Sequence, residues 1–248
     1  MSLQPITVIS NPIHPTSYGD ACDRIQTWVE TKTPGYIVAA NVHVVMTAYW
    51  HKSFRQILQR AALVTPDGMP LVWALRWLGV ANQTRVYGPD LMLAWCDRAA
   101  HLGLSIYLYG GTEVMLEKLQ SSLEQRFPGL QVAGVHAPPF RLLTVDEEQT
   151  DVDRIHASGA AVVFVGLGCP KQEEWMARQQ DLQAVAIGVG AAFSFFSGEV
   201  SQAPRWMMAI GLEWLYRFLM EPRRLWQRYL INNPAFVVLF AWQLLRRR

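Results

Sequence analysis

Val162-Val-Phe-Val-Gly-Leu-Gly-Cys-Pro-Lys-Gln-Glu-Glu-Trp175 is the stretch that decides the fold. Its β-branched and aromatic residues predict a buried strand, its Gly-x-Gly a tight loop, and the residues from Pro170 onward a helix. Gly166 and Gly168 allow the backbone to approach a ligand that a Cβ would block. Backbone N–H groups at the start of such a helix, together with Lys171, are suited to binding phosphate.

A second apolar strand follows this stretch and ends in another glycine turn, Gly188-Val-Gly-Ala-Ala-Phe-Ser-Phe-Phe-Ser-Gly198. Ligands of open parallel sheets lie at the carboxyl ends of the strands, so we expect the two loops to line one crevice. A lone Gly-x-Gly is also common as a plain strand-to-helix connection. Lys171 stands where a dinucleotide fingerprint needs its third glycine, and the chain has no phosphate loop of the ATPase type, so NAD and ATP are not supported.

Strands and helices alternate along the whole chain, which predicts a parallel α/β sandwich. The clearest strand–helix–strand unit runs from Leu104 to Val135, where Gly110-Gly111-Thr112 joins an apolar strand to an amphipathic helix. With 248 residues, 51% of them hydrophobic, the chain is long enough for one domain and an appendage. We predict a catalytic domain over residues 1–202 and a helical appendage over residues 203–248.

Catalytic groups are expected on loops at strand ends, where the scaffold fixes them without burying them completely. Asp67, in the turn Pro66-Asp67-Gly68, is the best candidate for a base, although Asp in such a turn is often only a helix cap. Asn41 ends another predicted strand. Arg85 carries a guanidinium that is suited to bidentate contact with diphosphate oxygens, although a lone arginine is more often a surface ion-pair partner.

The appendage differs in charge from the rest of the chain. Eight arginines and two glutamates follow Ala203, which gives the appendage a net charge of +6 and leaves −4 on the remainder of a chain with a total of +2. An anionic partner is therefore expected for the appendage alone. The acidic body offers no basic groove, which argues against nucleic acid.

The segment Arg223–Leu230 combines arginines with large apolar side chains at helical spacing. The spacing places the arginines on one half of a helix and Leu225, Trp226, Tyr229 and Leu230 on the other. The apolar run Ala235–Leu245, after Pro234, is shorter than the roughly 20 residues needed to cross a bilayer. We therefore predict that the appendage lies on a membrane surface; the alternative is that its helices pack on the body or on a neighbouring subunit.

The remaining composition favours a cytoplasmic protein. The three cysteines are far apart, which fits reduced thiols, and the N-terminus has no basic segment followed by an apolar run. The six histidines are scattered, so we predict no metal site and no cofactor.

Several motifs, in this order, resemble the WecG/TagA/CpsF family of bacterial glycosyltransferases. They are Asn41, Pro66-Asp67-Gly68, Arg85-Val-Tyr-Gly88 followed by Asp90, Gly166-Leu-Gly-Cys-Pro-Lys-Gln-Glu173, Gly188-Val-Gly-Ala-Ala-Phe193, Ala203-Pro-Arg-Trp206, Gly211-Leu-Glu-Trp-Leu-Tyr-Arg217 and Glu221-Pro-Arg-Arg-Leu-Trp-Gln-Arg-Tyr229. The likeness runs from about Tyr36 to Arg228.

This resemblance implies a Rossmann-like domain that transfers a sugar, with inversion and without a metal, from a UDP-sugar to a polyprenyl-diphosphate-linked saccharide. Asp67 matches the family's proposed base, and Asn41 and Arg85 match its active site. The nucleotide pocket is matched by Gly166, Gly168, Pro170, Lys171, Gln172, Gly188, Gly190 and Phe193. Arg217 and Arg224 match arginines that contact the diphosphate.

The resemblance also implies a peripheral enzyme on the inner face of the cytoplasmic membrane, and family members suggest a homo-oligomer. Donors in the family are of the N-acetylmannosamine, N-acetylmannosaminuronic acid and glucuronic acid types. Two departures concern the substrate: Ala39 stands where many members have Thr, and Ser194 stands where many have Asp. The competing hypothesis is a non-catalytic membrane-bound sensor or scaffold that binds UDP, which the missing hydroxyl at Ala39 favours.

Overall fold

The structure, a computed structural model, describes residues 4–246 apart from the side chain of Arg224. Its strands are β1 (Ile6–Val8), β2 (Asn11–Ile13), β3 (Tyr36–Ala40), β4 (Leu63–Pro66), β5 (Ser105–Gly110), β6 (Gln131–His136), β7 (Val162–Gly166) and β8 (Val185–Gly188). Its helices are α1 (Tyr18–Glu30), α2 (Val42–Trp50), α3 (Lys52–Arg60), α4 (Met69–Trp77), α5 (Gly88–Leu102), α6 (Glu113–Arg126), α7 (Val145–Ser158), α8 (Lys171–Arg178), α9 (Ala192–Phe196), α10 (Arg205–Ala209), α11 (Glu213–Met220) and α12 (Pro222–Arg246).

Six strands form one sheet in the order β4-β3-β8-β7-β5-β6, and β1 and β2 form a separate antiparallel hairpin. The pairs β3–β8, β8–β7, β7–β5 and β5–β6 are all parallel. Central strands are buried on both faces, as their unbroken apolar sequences require, whereas the edge strand β6 alternates between exposed and half-buried residues. The prediction of a Rossmann-like parallel sheet is confirmed.

The chain divides into two compact units. The first unit contains Met1–Ser17, Ala39–Tyr87 and Gln202–Arg248, and the second contains Tyr18–Val38 and Gly88–Ser201. Strand β3 runs from the second unit into the first.

In the second unit, crossover helices cover the sheet. The β5–α6–β6 crossover and the β6–α7–β7 crossover run in opposite directions along the sheet, so their helices lie on opposite faces. Thr112 caps α6 by accepting the N–H of Met115, and Thr144 opens α7 in a capping box with Glu147. These caps explain why α6 begins after Thr112, as the sequence predicts, and why α7 begins after Thr144.

In the first unit, the C-terminal helices pack on elements from the N-terminal part of the chain. Helix α12 packs against α2 and α11, and Phe240 stacks on Trp77 with ring centroids 5.9 Å apart. Gln243 accepts the N–H of Ile9 at 2.8 Å and donates to the carbonyl of Thr7 at 2.7 Å. The hairpin β1–β2 is thereby held at its turn by a side chain from the end of the chain.

Helix α12 differs from its prediction in two respects. It is 25 residues long and continues through Pro234, so the apolar run after the proline is not a separate segment. Leu225 is buried, whereas Trp226 and Leu230 of the same predicted apolar half are exposed. The helix is longer than expected, but none of the helices in residues 4–246 is both long and apolar enough to cross a membrane.

Candidate active site

The turn at Asp67 is tied to the end of β3 by backbone contacts within the first unit. The N–H of Asp67 donates to the carbonyl of Ala40 at 2.8 Å, which places the residue directly beside Asn41. A Cβ at Gly68 would lie 3.3 Å from the Cβ of Asn41, which is closer than the contacts that most Cβ atoms make in proteins, so glycine is favoured there. Asp67 is 8% exposed, and its turn is therefore a nearly buried site with a charged side chain.

Asn41 links helix α2 to the Asp67 carboxylate. As the N-cap of α2, its Oδ1 accepts the N–H groups of His43 and Val44 at 3.0 and 3.3 Å. The cap fixes the amide orientation, and Nδ2 then faces Asp67, donating to Oδ2 at 3.4 Å. Asn41 thus orients one carboxylate oxygen and leaves the helix start satisfied.

Arg85 lies on the other side of the turn. Its Nε donates to the backbone carbonyl of Asp67, and its Nη2 lies 3.8 Å from Asp67 Oδ1, beyond hydrogen-bonding distance. Nη2 instead donates to Glu213 Oε2 at 2.6 Å, and the guanidinium lies 4.0 Å from the ring centroid of Tyr87. Two donors of the guanidinium that is predicted to contact diphosphate, Nε and Nη2, therefore already have protein acceptors.

Glu213 and Tyr87 complete this cluster. The hydroxyl of Tyr87 donates to Glu213 Oε1 at 2.9 Å, so both oxygens of Glu213 are engaged. Burial, and next the charge of Glu213, raise the pKa of Tyr87 well above its usual range, so the hydroxyl stays protonated and remains a donor. Burial alone would lower the pKa of Arg85, but the charges of Asp67 and Glu213 outweigh it and raise that pKa.

The glycine loops lie side by side within the second unit. Strand pairing places Gly110 opposite Gly166, and Val165 opposite Gly188, so the loops after β5, β7 and β8 leave neighbouring strand ends. Gln172 connects two of these loops because its Oε1 accepts the N–H of Gly190 at 3.2 Å. The buried side chain also donates from Nε2 to Glu173 at 2.8 Å.

The glycines in these loops serve two different purposes. A Cβ at Gly166 would lie 2.5 Å from the ring of Phe193, and one at Gly188 would lie 3.0 Å from Gln172 Nε2, so these two positions are glycine because side chains fill the space. Gly168 and Gly190 have φ angles of +77° and +56°, and no atom lies within 4 Å of the position of their Cβ. These two left-handed positions have the open space that a ligand would need to approach the backbone.

Helix α8 begins at Lys171, after Pro170, as the sequence predicts. The N–H of Gln172 is already taken by the carbonyl of Gly168 at 2.9 Å, so it does not contribute to a phosphate site. Lys171 is exposed at the start of the helix. Within residues 4–246, no three His, Cys, Asp or Glu side chains are grouped so that they could hold a metal ion.

Comparison with known proteins assigns the chain to a family. The model of the glycosyl transferase WecG/TagA/CpsF family matches residues 6–248, which is nearly the whole chain. The chain belongs to this family. It is a glycosyltransferase of the WecG/TagA/CpsF type, as its motifs indicated.

A curated relative in this family is the N-acetylglucosaminyldiphosphoundecaprenol N-acetyl-beta-D-mannosaminyltransferase of Bacillus spizizenii. The two proteins are 32% identical over 213 residues, which cover 85% of this chain and 80% of the relative.

The family's arginine positions lie in the first unit of this glycosyltransferase. Arg217 is 3.9 Å from Glu221, one helical turn further along the chain. The side chain of Arg224 lies outside the described residues. The roles predicted for both arginines stay predictions, as does the crevice expected between the two glycine loops.

Glu213 is the member of the cluster that sequence reasoning missed. A glutamate four residues before an arginine is typical of a pair within one helix, but the carboxylate of Glu213 contacts Arg85 and Tyr87 instead. The motif Gly211–Arg217 places this glutamate in the first turn of a helix, where the helix dipole alone favours an acidic residue, so local sequence gave no separate signal of a distant contact. The sequence did not indicate which partner.

Proposed function

We propose that this glycosyltransferase moves a sugar from a UDP-sugar to a polyprenyl-diphosphate-linked saccharide, with inversion at the anomeric carbon, in the synthesis of a cell-surface polysaccharide. The Bacillus spizizenii relative is named as an N-acetylmannosaminyltransferase that acts on a lipid-linked N-acetylglucosamine, so UDP-N-acetylmannosamine is the first donor to test. UDP-N-acetylmannosaminuronic acid and UDP-glucuronic acid are the next donors. The observation that carries the proposal is the nearly buried Asp67 carboxylate beside Asn41 and Arg85, in a chain of this family.

In the proposed reaction, Asp67 is the general base. Its carboxylate takes the proton from an acceptor hydroxyl while the hydroxyl oxygen attacks the anomeric carbon, and the bond from that carbon to the UDP oxygen breaks. A single displacement of this kind inverts the anomeric configuration. Asn41 holds Oδ2 of Asp67 by a hydrogen bond, and Arg85 holds the backbone of the same turn.

The glycine loops are the proposed nucleotide site. Gly168 and Gly190 have open space at the Cβ position, and Gln172 connects their loops. Charge developing on the leaving UDP needs cations or oriented donors, and Lys171, Arg217 and Arg224 are the candidates. Phe193 shapes the loop because its ring fills the space beside Gly166.

Helix α12 is the proposed contact with the cytoplasmic face of the membrane, where a lipid-linked acceptor resides. Its outward residues Trp226, Leu230, Ile231, Val237, Val238, Trp242 and Leu245, here called the α12 stripe, are between 48% and 69% exposed. The guanidinium of Arg246 lies 3.6 Å from the Trp242 ring centroid at one end of the stripe. Apolar side chains with tryptophan and arginine at the ends are typical of helices that lie in the headgroup layer.

The test is a transfer assay with purified protein, UDP-N-acetylmannosamine and a short-chain polyprenyl-diphosphate-N-acetylglucosamine. The wild-type chain is expected to form the disaccharide product, and Asp67→Asn is expected to reduce kcat by about 10²–10⁴-fold, the usual contribution of a general base. UDP should raise the Tm of both proteins, because the variant retains the nucleotide loops. Asp153→Asn, on the exposed face of α7, is the matched control.

Full activity of Asp67→Asn would remove Asp67 from its proposed role. Binding of UDP with no transfer from any of the three donors would instead favour a nucleotide-binding protein without catalysis on these substrates.

A further inference from the structure

Glu213 connects the C-terminal helices to the turn that carries Asp67. It lies in the first turn of α11, 128 residues after Arg85 in the chain, and its side chain is only 14% exposed. One oxygen accepts Arg85 Nη2 and the other accepts the Tyr87 hydroxyl. These two donors, which are two residues apart in the chain, therefore fix the Glu213 carboxylate in a single orientation.

The position of Arg85 depends on which carboxylate it pairs with. A nearly buried guanidinium needs a close carboxylate, because an unpaired buried charge is strongly unfavourable. Glu213 satisfies this need at 2.6 Å, while the carboxylate of Asp67 remains 3.8 Å away. If Glu213 loses its charge, the Asp67 carboxylate, 3.8 Å from Arg85 Nη2, is the group that could pair with Arg85 in its place.

We propose that Glu213 is a positioning residue for the transfer reaction: it holds Arg85 on the backbone carbonyl of Asp67 and outside hydrogen-bonding distance of the Asp67 carboxylate. This inference rests on the proposed function of Asp67 as the base. A carboxylate that accepts a hydrogen bond directly from a guanidinium is a weaker proton acceptor than one 3.8 Å away, because protonation would take the acceptor from that donor. Glu213 thus favours catalysis without touching the reacting atoms.

The first experiment separates kcat from KM. Glu213→Gln keeps the shape of the side chain and removes its charge, and we expect kcat to fall by about 10–100-fold, as for a displaced catalytic group. KM for both substrates and the affinity for UDP should stay within about threefold, because Glu213 is not proposed to bind either substrate. Tyr87→Phe removes the second donor to Glu213 and should lower kcat in the same sense by a smaller factor.

Glu148→Gln is the matched control for the loss of a glutamate–arginine pair. Glu148 accepts Arg178 Nη2 at 2.6 Å and its side chain is 20% exposed, which is close to Glu213 in distance and in exposure of the glutamate, whereas Arg178 is 52% exposed against 16% for Arg85. It lies on α7, apart from the proposed machinery. The kcat of the Glu148→Gln variant should equal that of the wild type.

The second experiment does not depend on activity. If Arg85 moves onto the Asp67 carboxylate when Glu213 is neutralised, Asp67→Asn should cost more stability in the Glu213→Gln background than in the wild type. In a double-mutant cycle followed by thermal unfolding, we expect the extra loss in Tm to be about 2–4 °C. An analogous cycle of Asp67→Asn with Glu148→Gln should be additive.

Additive effects of Asp67→Asn and Glu213→Gln on Tm would overturn the inference. A kcat for Glu213→Gln within twofold of the wild type, with Asp67→Asn inactive, would also overturn it while leaving the proposed function intact. If the proposed function itself were wrong, the results would differ from these: the wild type would transfer no sugar, or Asp67→Asn would be fully active. The stability cycle would still decide whether Glu213 controls the position of Arg85.

Discussion

At the scale of single residues, the candidate site combines groups that local sequence identifies with one that it does not. Asn41 and Asp67 follow buried strands and sit at helix starts, so their positions could be read from strand and cap signals. Glu213 could not be placed in this way, because its contacts with Arg85 and Tyr87 join distant parts of the chain. A four-residue spacing such as that between Glu213 and Arg217 is typical of a local pair within one helix and does not indicate a distant partner.

His43, directly after the Asn41–Val42 junction, carries a prediction on pH. Its Nδ1 lies 3.1 Å from Asn232 Nδ2, which fits a neutral ring that accepts there. Burial, with a smaller effect of Arg228, lowers the pKa of His43 from 6.5 to about 3. Between these values the unfolded chain binds a proton that the folded chain does not, so acidification destabilises the fold.

When the pH is lowered from 7 to 5, we expect the proton uptake linked to His43 to reduce the free energy of unfolding by at most about 2 kcal/mol. Urea unfolding of the wild type and of His43→Gln at both pH values measures the effect. The variant should lose less stability on acidification, because it has no ring to protonate. An equal loss in the two proteins would show that His43 is not the group responsible.

At the scale of elements, several helix starts and strand ends have a local cause in the sequence. Thr112 and Thr144 cap their helices, and glycines end the strands β5, β7 and β8. In helix α12, local sequence does not predict which apolar side chains are buried. Its composition indicated an amphipathic helix, but in the folded chain, where α12 packs against α2 and α11, Leu225 is buried and Trp226 and Leu230 are exposed.

The α12 stripe carries a prediction on membrane binding. Leu230→Glu combined with Val238→Glu places two carboxylates on the stripe, and we expect the concentration of anionic liposomes needed for half-maximal binding to rise about tenfold or more. Cosedimentation with liposomes is the measurement. Ser121→Glu with Gln125→Glu adds the same charge to the exposed face of α6 and should bind nearly as the wild type does. Equal weakening in both double variants would indicate a general charge effect instead.

At the scale of the whole molecule, the chain returns at its end to the unit in which it begins. Residues 202–248 are grouped with Met1–Ser17 and Ala39–Tyr87, and they supply buried side chains to that unit. Leu225, Phe236 and Phe240 are each no more than 4% exposed. The C-terminal helices therefore contribute to the core as well as to the proposed membrane surface.

Removal of residues 203–248 is accordingly expected to destabilise the first unit. Burial of each of the three core side chains contributes about 1.5–3 kcal/mol, so the truncated chain should unfold at a clearly lower Tm and bind a dye for exposed apolar surface. Calorimetry and dye fluorescence measure the two effects. A truncated chain with the Tm and dye binding of the wild type would contradict a structural role for these helices.

The sequence by itself determined the alternation of strands and helices, the strand-end positions of Asn41 and Asp67, and the family, because these depend on local propensity, capping and short motifs. Only the tertiary structure decided that Glu213 pairs with Arg85, that Phe193 fills the space at Gly166, and which face of α12 is exposed. Contacts between residues far apart in the chain depend on how elements pack in space, and no local pattern specifies that packing.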